Sequence, residues 1–132
     1  MSQSTTIDLA QPFTHLEPKS LDWVKTEIKT CVEYHNHTHP QQGFVPARLV
    51  KVDEDKPRLV IPSDDPEFLS IDQQPKYAAL TYCWGPPPHS DQQLKTTSSN
   101  MAYHMQAIPR DKLPQVAKDA ITVTKELGMR YL

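Results

Sequence analysis

Tyr82, Trp84 and Gly85 close the run Tyr77-Ala-Ala-Leu-Thr-Tyr-Cys-Trp-Gly85 and are the best-placed candidates for contacting a ligand. If that run is a central strand, they sit beyond its carboxyl end, where open α/β sheets bind ligands. The competing reading is structural: Trp84 packs against the last helix of the chain, and Gly85 lets the backbone turn into Pro86-Pro-Pro88. Cys83 could act as a nucleophile only if His89 or His104 folds onto it, because a thiol needs a base or a positive dipole to become a thiolate. Nothing in the sequence fixes that proximity, and a small packed residue at a strand end is the ordinary role of such a cysteine.

Cys31, His35, His37 and His39 offer a second chemistry, since thiolate and imidazole ligate zinc and the first two stand one helical turn apart. Their spacing matches no standard zinc finger and a second cysteine pair is missing, so solvated histidines beside a core cysteine are the simpler account. No metal and no cofactor are expected. Asp119 lies at the border of a helical stripe, where it can reach a ligand or bond locally. Gly-x-Ser-x-Gly, a phosphate-binding glycine loop and His-Glu-x-x-His are all absent.

The elements that would position these residues follow from periodicity. Residues 1–19 are polar, contain Pro12 and Pro18, and read as a flexible lead-in. Ser20 is a fitting helix cap, and Leu21, Val24, Ile28, Cys31 and Val32 recur at helical spacing, which predicts an amphipathic helix ending before Pro40. Phe44–Val52 and Arg58–Ile61 are β-rich runs separated by Asp53-Glu-Asp-Lys-Pro57 and predict a β-hairpin. Residues 20–76 thus form a helix-plus-hairpin segment ahead of a second unit, residues 77–132.

Within that unit, Tyr77–Tyr82 is apolar enough to be covered on both faces, so it is expected at the sheet centre. A long Pro-rich and polar connection follows, with one short helix near Ser99–Gln106. Pro114 suits a first helical position, Val116, Ala120, Val123 and Leu127 supply an inward stripe, and Gly128 ends the helix. Met129-Arg-Tyr-Leu132 then begins a strand, completing a β-α-β crossover. The expected class is α/β, with α+β character on the N-terminal side.

Composition narrows the function. The chain has 132 residues, enough for one small core, and its 13 prolines against 3 glycines suggest long extended connections. A net charge of −2 without a basic cluster argues against nucleic acid as a partner. Two widely separated cysteines suit a reducing compartment, and no apolar run spans a bilayer, so a cytoplasmic protein without a membrane partner is expected.

The order of Tyr77–Gly85, Ile108-Pro109, Leu113-Pro114, Asp119-Ala-Ile121 and Leu127-Gly-x-Arg-Tyr-Leu132 strongly resembles the heterokaryon incompatibility (HET) domain of filamentous fungi. The helix with Trp23, Cys31 and His35, followed by Pro46–Val52, looks like the segment that commonly precedes it. The resemblance implies intracellular signalling in self/non-self recognition and programmed cell death, through protein partners or further domains. The family typically continues after Tyr-Leu into Trp-Ile-Asp-x-Leu-Cys-Ile, so the chain is expected to be an N-terminal fragment of such a protein. HET domains are also similar, distantly, to Toll/interleukin-1 receptor (TIR) domains, which makes an incomplete TIR-like core the expected fold. Some TIR domains cleave NAD with a glutamate on a later helix. No residue here corresponds to it, so this chain is not expected to be an enzyme by itself; the alternative is that it forms part of an NAD-hydrolysing domain. Tyr82, Trp84 and Gly85 would then supply part of a nucleotide-facing wall.

Overall fold

A computed structural model describes residues 17–35, 45–72, 75–88 and 91–132. Helix α1 runs Pro18–Tyr34, and strands β1 (Leu49–Lys51) and β2 (Arg58–Val60) form an antiparallel hairpin. Three short or medium helices follow: α2 (Pro66–Leu69), α3 (Met101–His104) and α4 (Gln115–Glu126). Single 3-10 turns at Pro62–Asp64 and Arg110–Lys112 lead into α2 and α4.

α1 begins three residues earlier than a cap at Ser20 suggests, with Glu17 at the N-cap position. Pro18 occupies the first turn, where its missing N–H costs nothing, and Ser20 lies inside the helix. The lead-in therefore stops before Pro18, and its residues 1–16 lie outside the described residues. Leu21, Val24, Ile28 and Cys31 form the half-buried stripe, but Val32 is exposed and no residue of α1 is fully buried. Amphipathic spacing made the helix; it did not bring it into the core.

The hairpin forms with Leu49 opposite Val60 and Lys51 opposite Arg58. On the other edge of β1 the chain's last residues add antiparallel. Val50 and Leu132 exchange backbone hydrogen bonds at 2.8 and 2.9 Å, and Val52 N–H donates to the Arg130 carbonyl at 2.8 Å. β1 is thus the middle of the sheet, which corrects the expectation for Tyr77–Tyr82. That run forms no strand; its one link to the sheet is Ala78 N–H to the Tyr131 carbonyl at 3.0 Å, and Leu80 is 39% exposed. Apolar content raised it to the centre, whereas the ladder groups on both edges of β1 were claimed by β2 and by Arg130–Leu132. The expected β-α-β crossover is reduced to that single bond, and the class is a mixed one: helices around a two-stranded antiparallel sheet that the bridge of Tyr131 to Lys51 extends on the free edge of β1.

The core is small. Leu49, Val60, Phe68 and Tyr131 are buried together, with Val45, Ile71 and Tyr77 packed against them. The Phe68 and Tyr131 rings meet edge to face with centroids 5.2 Å apart. Lys51, only 4% exposed, reaches out of this layer to Glu67 at 2.6 Å and Glu54 at 3.1 Å. Arg58 holds the same Glu54 at 2.9 Å.

α4 is built largely as its sequence dictates, one position out of phase at its inner face. Ile121 and Thr124 are its buried residues, while Val116 and Val123 are each 36% exposed. Thr124 can be buried because its hydroxyl donates to the Ala120 carbonyl at 2.7 Å. Gly128, at φ +80°, ends the helix in a paired cap: its N–H donates to Lys125, and Met129 N–H to Thr124. The long connection is tied to the hairpin where Ile108 N–H donates to the Pro57 carbonyl at 2.7 Å.

Among the described residues, no helix is long and apolar enough to cross a membrane.

Candidate functional site

Tyr82 and Trp84 are two residues apart in extended chain, so their side chains leave on the same side. The rings stack with centroids 6.1 Å apart and 13° between planes. Trp84 is 44% exposed and Tyr82 half-buried. Trp84 therefore rests on Tyr82 rather than burying itself against α4.

Gln93 holds the pair in place. Its Oε1 accepts from the Tyr82 hydroxyl at 2.8 Å, and its Nε2 donates to the Trp84 carbonyl at 3.0 Å. One primary amide thereby fixes a ring and the backbone beside the next ring, using both ends of its dipole. Lys95 adds charge, with Nζ 5.7 Å from the centre of the Trp84 ring, within cation–π range. Gly85, at φ +81°, turns the chain directly after this pair in a conformation that L side chains rarely adopt.

Gln93 and Lys95 were not singled out from sequence. Each lies in the polar connection after Pro88, where an amide or an ammonium carries no period and no motif. The available signal was weak: a polar segment returning to a Tyr-x-Trp run needs donors and acceptors to meet the tyrosine hydroxyl and the exposed backbone.

The remaining candidates separate. Cys83 is exposed, and His104 is buried at the start of a different contact, its Nδ1 2.9 Å from the Thr96 hydroxyl. His104 is the last residue of α3, and no contact joins its ring to Cys83 among the described residues; His89 lies outside them. Cys31 and His35 lie on α1 and at its end, and His37 and His39 are outside the described residues. Among the described residues no group of three His, Cys, Asp or Glu side chains could hold a metal ion. Asp119 is exposed and accepts from Gln115 Nε2 at 2.7 Å, a bond along its own helix.

Chemically, the Tyr82–Trp84–Lys95 surface is suited to recognition. It presents a partly exposed indole, a polar amide clip and an ammonium, and among the described residues no paired nucleophile and base. A groove of about 420 Å3 opens between Tyr77–Leu80 and α4, lined by Ile108, Leu113 and Ile121, and Tyr82, Trp84 and Gly85 do not line it.

Residues 77–132 match the family model described as heterokaryon incompatibility protein (HET). No curated protein and no solved structure matches the chain. The matched segment begins at Tyr77, contains the aromatic pair with its Gln93 clip, and ends on the strand that completes the sheet. In motif order and in family match alike, residues 77–132 are similar to HET-domain sequence, which supports a heterokaryon incompatibility-related role.

Proposed function

We propose that the chain serves as an interaction module of a fungal self/non-self recognition system in the cytoplasm, acting through protein–protein assembly that leads to programmed cell death. The observation that carries this reading is Trp84, held half-exposed on Tyr82 by the two hydrogen bonds of Gln93, within the HET-matched segment. A fixed tryptophan costs little conformational entropy on binding and removes much apolar area from water, which is why tryptophan and tyrosine dominate binding hot spots. Lys95 beside the indole favours a partner surface bearing carboxylates.

The test is expression of the full chain in hyphae of a filamentous fungus, with wild type compared against Trp84→Ala at matched levels of folded protein. Growth arrest by the wild type and its loss in Trp84→Ala are expected. Equal toxicity of both would remove Trp84 from the contact. Incubation of the same protein with NAD is expected to leave the dinucleotide intact; catalytic release of nicotinamide would replace this reading with an enzymatic one.

A further inference from the structure

A second, larger cleft of about 770 Å3 runs between α1 and the segments around Ile71 and Met129. Its chemistry is divided. Ile28 and Val32 of α1 face the aliphatic Ile71, Leu127 and Met129, while among the described lining residues four cations, Lys25, Lys29, Lys76 and Arg130, stand against two acids, Glu33 and Asp72. Lys29 and Arg130 are held only loosely, at 3.9 Å from Glu33 and 3.8 Å from Asp53. Lys25 and Lys76, on different sides of the cleft, form no ion pair among the described residues. Lys76 instead lies 5.7 Å from the centre of the Phe68 ring. In a protein of net charge −2 this is a local positive excess over an aliphatic floor.

We propose that this cleft binds a single-chain amphiphile with an anionic head, its alkyl body along Ile28, Val32 and Ile71 and its head between Lys25 and Lys76. Among the described residues no aromatic side chain lines the cleft, so they offer no stacking face for a nucleobase. The volume lies in the range of small-ligand sites. An aliphatic floor without cations would accept any detergent; cations without the floor would accept inorganic phosphate. The combination selects for both parts of one molecule.

Calorimetric titration of the full chain with dodecyl phosphate, kept below its micelle-forming concentration, tests this. One molecule bound per chain is expected, with dodecyl maltoside and inorganic phosphate each weaker by about tenfold or more. Lys25→Glu with Lys76→Glu is expected to weaken dodecyl phosphate binding by about tenfold or more with the circular dichroism spectrum unchanged, since neither side chain contributes an ion pair to the fold. Lys25→Gln alone, on the outer helix, should give a smaller loss in the same direction. Failure to bind dodecyl phosphate, equal binding of the neutral amphiphile, uptake of many molecules per chain, or indifference to the lysine changes would each overturn the proposal.

Discussion

The Tyr131 hydroxyl donates to Oδ2 of Asp65 at 3.0 Å, and Oδ1 of the same carboxylate accepts from the Glu67 N–H at 3.0 Å. One side chain therefore caps α2 and anchors the strand that ends the chain. Tyr131→Phe should cost about 1–2 kcal/mol, the range for losing a hydrogen bond to a charged partner that water can partly replace. Asp65→Ala removes the cap as well and should cost about 2–3 kcal/mol. Urea unfolding of the two variants checks the order; equal losses would show that the cap contributes nothing.

The same phenol gives an alkaline limit. Burial first, and then the hydrogen bond to Asp65, push the Tyr131 hydroxyl up from 10.0 to about 12. Its folded value exceeds its unfolded one, so the associated stability is complete below pH 10 and is lost as pH rises toward 12. Lys51 adds to the trend: its bond to Glu67, opposed in part by burial, raises its ammonium pKa above the ordinary range. Thermal unfolding followed across pH 9 to 12 should show a falling midpoint, with the fall made shallower by Tyr131→Phe.

On the acid side the relevant group is Glu54. Arg58 and then Lys51 hold its carboxyl below the ordinary range, so its contribution is present above its unfolded pKa and fades as pH falls through the depressed one. Both ends of this network touch β1 or β2. Lys51→Met keeps the buried stem, frees the half-exposed Glu67 to water and leaves Glu54 to Arg58, and should cost about 1 kcal/mol. Lys51→Ala opens a hole beside the core and should cost about 2–3 kcal/mol. A reversal of that order in denaturant titrations would mean that charge, rather than the stem, holds Lys51 in place.

Phe68→Ala should be the most damaging of the single changes, at about 3–5 kcal/mol. The ring is 2% exposed, lies edge-on to Tyr131 and belongs to a cluster of four buried residues. Loss of the cooperative transition in circular dichroism is the expected result. Gly128→Ala, by contrast, meets open space and pays only for its φ of +80°, about 1 kcal/mol.

The parts legible in the sequence were those governed by local rules. The 3.6-residue stripe through Leu21 and Ile28, the turn at Asp53–Lys56 and the cap at Gly128 each act within a few residues, and each element formed. What escaped was the choice among partners. Leu49–Lys51 and Tyr77–Tyr82 are both apolar extended runs, and only the closing of Arg130–Leu132 on β1 decides which becomes the sheet centre. At the candidate site, Tyr82, Trp84 and Gly85 were placed together by chain continuity. Gln93 and Lys95 joined them through hydrogen bonding and charge, forces that leave no periodic trace.

The pairing of Val50 with Leu132 has a consequence for biosynthesis. The hairpin and α2 emerge from the ribosome early, yet the tyrosine that covers them is 66 positions beyond Asp65. Contacts so distant along the chain slow folding, because the loop between them must be closed before any of them is gained. Throughout synthesis of that interval Leu49, Val60 and Phe68 remain without their lid. A nascent chain arrested before Tyr131 should thus be captured by chaperones that bind apolar surface and be cut readily by protease, while one in which Leu132 has already cleared the ribosome should escape both.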